Sequence, residues 1–129
     1  MIVADTDVLI DARRGQEPMR SRVDREIKRG TLATTAVTAF ELWTGARSAA
    51  ESDHVEALLA SIEVFPLDAS AAREAGRVRR ALEERGLPIG IADCLIAGIC
   101  LSRAAPLMTR NVAHFGRVEG LVVEDGSEG

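Results

Sequence analysis

Tyrosine is absent from the 129 residues, and Phe40, Trp43, Phe65 and Phe115 are the only aromatics. So few rings argue against a surface that holds nucleic acid mainly by stacking bases on aromatic side chains. Lysine is almost absent too: Lys28 stands alone beside 15 arginines among the 16 basic residues. Any chemistry that requires a lysine must use that one. Cysteine occurs twice, at Cys94 and Cys100, in an apolar segment with no C-x-x-C pair and no histidine pattern beside it. Such residues are expected to be buried, reduced thiols, which sets a zinc site aside. No stretch approaches the roughly 18 apolar residues of a membrane span. The apolar start is broken by Asp5, Asp7 and Asp11, so no signal peptide is expected and the protein reads as cytoplasmic. An excess of positive charge is also missing. Twenty acidic residues against 16 basic ones leave a net charge of −4, which by itself argues against a simple DNA-coating protein.

What is present is an ordinary globular composition, 47% hydrophobic and 28% charged, in a length that suits one domain. Short apolar or β-branched runs at residues 2–5, 31–35, 63–67, 106–109 and 121–123 read as strands. Helical patterns lie between them at 6–14, 18–29, 37–49, 51–61, 68–85 and 91–102, with Gly15, Gly30 and Gly86 as stops. Strands alternating with helices in this rhythm predict a parallel sheet with helices on both faces. The domain is expected to span 1–123, followed by a polar tail, 124–129.

In open α/β sheets, sites form beyond the carboxyl ends of the strands. Asp5 follows the first strand, with Asp7 two residues on; Asp5 also suits an N-cap. Glu41 closes Thr38-Ala-Phe-Glu41, which also fits a capping box. Asp93 is the one charge in the apolar segment 91–101, near the start of a helix whose dipole favours an anion. Thr109-Arg110-Asn111 follows another strand and also has the composition of a turn. Asp5, Glu41, Asp93 and Asn111 would all sit near one sheet edge, where the three carboxylates, with no lysine near them in sequence, would repel one another. A hard divalent cation, Mg²⁺ or Mn²⁺, is the economical remedy, and such a centre suits phosphodiester hydrolysis.

Four blocks now stand in order: Ile2-Val-Ala-Asp-Thr-Asp-Val-Leu-Ile-Asp11, Phe40-Glu-Leu-Trp-Thr-Gly45, Ile91-Ala-Asp-Cys-Leu-Ile-Ala97 and Thr109-Arg-Asn-Val-Ala-His-Phe115. Together they resemble a PIN-domain protein, specifically a VapC-type toxin ribonuclease, over essentially the whole chain. The resemblance implies a PIN-like three-layer α/β sandwich whose mostly parallel central sheet is flanked by helices. It implies Mg²⁺-dependent RNA cleavage leaving 5′-phosphate and 3′-hydroxyl ends, a VapB-like antitoxin partner, and a homodimer or dimer of toxin–antitoxin pairs. Asp5, Glu41 and Asp93 fall on the family's three carboxylates. Asp5 and Asp93 would then bind metal most directly, and Glu41 would bind it or orient the attacking water. Thr6 and Thr109, with Arg110, would contact waters or the substrate phosphate. The chain departs from the family at Asp7, where Asn is frequent, and at Asn111, where many members have a fourth acid. His114, three residues on, is either a proton shuttle or a packing residue beside Phe115.

Three other readings use the same residues. Asp5-Thr-Asp-Val-Leu9 resembles the nucleophile motif of haloacid-dehalogenase-like phosphatases, and a receiver-type signalling domain also clusters carboxylates with Mg²⁺. Both need a lysine later in the chain, and none follows Lys28. A catalytically degenerate PIN module that binds RNA or a protein remains, with Asn111 as its support. Counting charge by region revises the first impression. Glu119, Glu124, Asp125 and Glu128 lie in a stretch with no base and account for the whole −4, so residues 1–118 are formally neutral. Residues 13–29 carry a local +4 from Arg13, Arg14, Arg20, Arg22, Arg25, Lys28 and Arg29, a candidate RNA track. Arg73, Arg77, Arg80 and Arg85 form a second candidate.

Overall fold

In the computed structural model, which describes residues 1–127, twelve elements follow one another. They are β1 (Ile2–Ala4), α1 (Thr6–Arg13), α2 (Met19–Arg29), β2 (Leu32–Thr35), α3 (Ala36–Gly45), α4 (Ala49–Ala60), β3 (Glu63–Phe65), α5 (Ala69–Glu84), α6 (Ile91–Ser102), β4 (Leu107–Met108), α7 (Val112–Phe115) and β5 (Val123–Glu124). The strands form one sheet in the order β3-β2-β1-β4-β5, and every pairing is parallel. The expected three-layer α/β sandwich is what the chain builds. Among the described residues no helix is long and apolar enough to cross a membrane.

Strand periodicity divides the core in two. Ile2, Ala4, Leu32 and Met108 face one side, where they pack with Val8 and Leu9 of α1 and Met19 and Val23 of α2. Val3, Ala33 and Leu107 point the other way, onto a larger cluster with Ala71, Val78 and Leu82 of α5 and Ile96, Ala97, Ile99 and Cys100 of α6. Successive residues of a strand face opposite sides, so three-residue strands suffice to join both layers. The chain builds β1, β2 and β3 outward in one direction, then returns past β1 to lay down β4 and β5. The direction reverses between β1 and β4, and ligands bind beyond the carboxyl ends at such a switch point.

Four local details differ from the sequence expectations, each for a physical reason. α3 stops at Gly45 instead of running to 49, because Ser48 caps α4: its side chain accepts the Glu51 N–H at 3.1 Å, and its hydroxyl meets Glu51 Oε1. α4 thereby starts at Ala49, two residues ahead of the expected start. The Thr38–Glu41 capping box does not form, since Thr35 is the N-cap of α3 and accepts the Thr38 N–H. α7 is an unexpected single turn. The last strand is Val123–Glu124 instead of 121–123: Glu124 accepts the Thr109 N–H through its carbonyl, while its carboxylate pairs with Arg22 at 2.7 Å. Glu124 therefore lies in the sheet and not in a tail. Of that tail, residues 128 and 129 lie outside the described residues.

α5 and α6 pack closely because they meet through small residues. A Cβ at Gly98 would lie 2.6 Å from the Ala71 carbonyl oxygen and from Ala75. That approach involves backbone and cannot be relieved by a rotamer. Gly98→Ala is therefore expected to destabilise the fold by about 1–3 kcal/mol. Gly76, on the open face of the same helix pair, has nothing within 4 Å of its added Cβ. Gly76→Ala is expected to stabilise by about 0.5–1 kcal/mol through helix propensity. Denaturant unfolding of both variants checks the pair, and a neutral Gly98→Ala would contradict the packing described here.

Candidate active site

β1 ends at Ala4, and the next residue, Asp5, is the N-cap of α1, with only 7% of its surface exposed. Its Oδ1 accepts the Thr6 N–H at 2.8 Å. Its Oδ2 accepts the hydroxyl of Thr109 at 2.7 Å. Thr109 is fully buried and directly follows β4, the strand across the switch point. One carboxylate thus ties together the ends of two adjacent strands that are 104 residues apart in sequence.

Glu41 reaches the same place from the second turn of α3. The Thr6 hydroxyl donates to Glu41 Oε1 at 2.6 Å and lies 3.1 Å from the Thr38 hydroxyl. Asp93 is in the first turn of α6, whose N-cap is Gly90, and no side chain makes a cap hydrogen bond there. Asp93 is therefore not used as a cap. Its Oδ2 lies 3.9 Å from His114 Nδ1, and His114 Nδ1 lies 3.0 Å from Asn111 Nδ2. The Asn111 N–H donates to the Thr109 hydroxyl oxygen at 3.0 Å, which closes the ring of contacts back to Asp5.

Electrostatics binds the carboxylates further. Burial pushes Asp5 up from its ordinary 3.8 to about 6; the Thr109 hydrogen bond opposes this, while the charges of Asp7 and Asp93 add to it. Burial also raises Asp93, with His114 opposing and Glu41 and Asp7 adding. Asp7 is raised by burial against the Arg110 amide and guanidinium, which lower it. Asp5, Asp7, Glu41 and Asp93 thus sense one another as charges. Among the described residues, no three His, Cys, Asp or Glu side chains are gathered closely enough to hold a metal ion as they stand. Thiols add nothing: both cysteines are buried, and burial pushes the Cys100 thiol up to about 12.

Direct hydrogen bonds therefore join Asp5, Thr6, Glu41 and Thr109, and Asn111 is tied in through Thr109. Asp93 joins them through charge and through His114. Arg110 is different: its guanidinium turns away onto α1, 3.2 Å from Asp11 and 3.9 Å from Asp7. Thr38, considered in the sequence only as a cap, is a buried polar neighbour of the site. Its signal was the run Thr34-Thr35-Ala-Val-Thr38, three threonines where a strand turns into a helix. The basic stretch 13–29 is partly consumed by structure, since Arg22 pairs with Glu26 and Glu124, and Lys28 with Asp24.

Comparison with known proteins agrees with this architecture. The PIN domain family matches residues 2–121. The chain is 32% identical over 127 residues to the tRNA(fMet)-specific endonuclease VapC of Shigella flexneri, covering 95% of this chain and 96% of that one. It is 39% identical over 121 residues to ribonuclease VapC10 of Mycobacterium tuberculosis, covering 94% and 90%. Among solved structures, DNA-bound VapBC from Salmonella typhimurium superposes with a TM-score of 0.85 at 29% identity, covering 98% of this chain and 99% of that one. VapBC2 from Rickettsia felis, bound to a DNA fragment from its promoter, gives 0.85 at 25% identity, covering 96% and 98%. This chain belongs to the PIN-domain family, in its VapC group.

Proposed function

We propose that the protein is an endoribonuclease that hydrolyses RNA phosphodiester bonds with Mg²⁺ or Mn²⁺. We propose further that it is the toxin of a pair with a VapB-like antitoxin, as a homodimer or a dimer of such pairs. The observation that carries the nuclease reading is the buried Asp5, held between two donors, whose pKa is raised to about 6 first by burial and further by the charges of Asp7 and Asp93. A site that concentrates unneutralised carboxylates is one that favours a cation. The donors are all oxygens, from Asp5, Asp93 and Glu41, and no lysine stands nearby to neutralise them; that chemistry fits a hard divalent ion. The partner reading rests on the solved neighbours, which are VapBC complexes.

Asp5 and Asp93 would hold the ion. When bound, it would polarise the scissile phosphate and lower the pKa of a water. The residues of the chain supply the rest. The Thr6 hydroxyl engages Glu41 Oε1 and leaves Oε2 without a protein donor among the described residues, so Oε2 is the oxygen placed to accept a proton from the attacking water. Thr109 cannot act as an acid, because its one proton is committed to Asp5. It serves to aim that carboxylate. One observation favours a non-cleaving module instead: an amide, Asn111, stands at the fourth position and is engaged by His114.

Cleavage of total RNA by the purified chain decides between the two. Activity is expected with Mg²⁺ or Mn²⁺ and to vanish with EDTA. Asp93→Asn is expected to lower the rate at least ~100-fold, equivalent to about 3 kcal/mol of transition-state stabilisation, with little change in thermal stability. Parental activity in that variant would refute the metal-site assignment.

Linkage gives a second expectation. The folded-state pKa of Asp5 is above its ordinary 3.8, so the native state binds the proton more tightly than the unfolded chain. Stability from this group is complete below about pH 4 and is lost as pH rises through about 6. The loss amounts to about 3 kcal/mol at most. A cation needs the ionised carboxylate, so Mg²⁺ is expected to raise the melting temperature at pH 8 and to have little effect at pH 5. Asp5→Asn should flatten both dependences. Melting curves from pH 4.5 to 8, with and without Mg²⁺, test this; equal Mg²⁺ stabilisation at pH 5 and pH 8 would contradict it.

A further inference from the structure

Asp7 lies beside the candidate site and has no part in the mechanism just described. Its partners are on the loop that follows β4. Asp7 Oδ2 accepts the Arg110 backbone N–H at 3.1 Å, and Oδ1 shares it at 3.4 Å. Asp7 Oδ2 also lies 3.4 Å from the Thr109 hydroxyl. A hydroxyl has one proton, and the shorter 2.7 Å bond to Asp5 takes it. The Asp7–Thr109 approach is thus left without a proton, and the Arg110 amide is what Asp7 holds. Asp11 lies one helical turn further along the same face of α1 and is buried. It receives the Arg110 guanidinium at 3.2 Å. α1 therefore grips this loop twice, once by backbone and once by side chain, across 103 residues of sequence.

We infer that Asp7 is a positioning residue: by fixing the Arg110 peptide it sets the Thr109 hydroxyl on Asp5. The role rests on the nuclease reading above and adds to it a carboxylate that acts through the loop instead of on the cation or the substrate. The geometry explains why an acceptor is needed there. β4 is two residues long, and the chain leaves it directly into Thr109. Thr109 donates its own N–H to Glu124 and receives the Asn111 N–H on its hydroxyl. Arg110, with an exposed side chain, is the one link in this tripeptide whose amide is held from α1. Without Asp7 that amide has only water, and the peptide that orients the Thr109 side chain is free to rotate.

The test uses the full chain with Asp7→Asn and Asp7→Ala. Three quantities are measured: turnover and KM on an oligoribonucleotide that the parent cleaves, Mg²⁺ affinity by calorimetry without RNA, and hydrogen exchange at the Arg110 amide. Asparagine retains a carbonyl oxygen for that N–H, so Asp7→Asn is expected to stay within ~3-fold of the parent in all three. Asp7→Ala is expected to lose ~10–100-fold in kcat with KM nearly unchanged, and to exchange the Arg110 amide roughly 10-fold faster. If the alanine variant does not fold, Asp7→Ser, whose oxygen stands one bond short, replaces it with the same expectation. Loss of Mg²⁺ affinity in Asp7→Asn as great as in Asp7→Ala would overturn the inference by making Asp7 a ligand. An unchanged kcat or unchanged exchange in Asp7→Ala would overturn it alone, leaving the nuclease reading intact. A parent chain that cleaves no RNA with Mg²⁺ would overturn both.

Discussion

Asp5 sits where β1 and β4 end side by side, and the burial of its charge sets terms that the surrounding structure must meet. A carboxylate removed from water needs donors or a counter-charge. Here the first donor is local, the N–H that opens α1, whose dipole also favours an anion. The second is remote, the hydroxyl of Thr109. The remote donor is available only because the sheet reverses direction between β1 and β4, which makes these strands neighbours. The order of the strands is thus what completes the site. Glu41 and Asp93 then arrive from helices on either side of the same opening, and their charges act against that of Asp5 with no lysine to relieve them.

The helices that deliver those two carboxylates are anchored by packing instead of by polar contacts near the site. α6 is apolar on nearly all sides, and six of its residues, Cys94 and Ile96 to Cys100, are buried. It is pressed onto α5 through Gly98, so its axis is fixed and its first turn projects beyond the sheet. Asp93 lies in that first turn, where the core ends and Ile91 is 61% exposed. α3 is fixed differently. Thr35, fully buried, caps it, and the buried Thr38 packs its first turn against Thr6. Because the cap belongs to Thr35, Glu41 is released from a structural duty, and its one side-chain hydrogen bond among the described residues is to a residue of the site.

Much of this was legible from local pattern, and most of what was not shares one cause. Asp5 after a short apolar strand, Asp93 as the lone charge of an apolar helix, and the α5 cap at Asp68 are each written within a few residues of sequence. Strand order is not, because parallel neighbours are joined by crossovers whose pairing depends on contacts far apart in the chain. Everything that rests on the β1–β4 adjacency was therefore hidden: the Thr109–Asp5 bond, the hold of Asp7 on the Arg110 amide, and the turning of Arg110 onto Asp11. The misplaced last strand has the same origin. Leu121-Val-Val123 reads as a strand by composition, but the register is set by Leu107 and Met108, which pair with Val123 and Glu124. At Ser48 and Thr35 the difference is of another kind, since both caps are local and the composition of Thr38–Glu41 drew the cap away from Thr35.

Charge closes the argument that composition opened. The acidic end of the chain is partly neutralised within the fold, because Glu124 meets Arg22 and brings β5 onto α2. Arg22 is thereby withdrawn from the basic stretch, as Lys28 is by Asp24 and, further along, Arg110 by Asp11. Arg13 and Arg14 at the end of α1 make no ion pair among the described residues, and both are exposed. They line a cavity of about 470 Å³ together with Leu9, Leu42 and Glu41. The two arginines share that lining with the carboxylates of Glu41 and Glu51, so charges of both signs meet at one cavity. In a chain with net charge −4, the placement of two arginines matters more to an anionic substrate than the total. Among the described residues only Phe40, Trp43 and His54 expose an aromatic ring, which leaves few faces for a base to stack on.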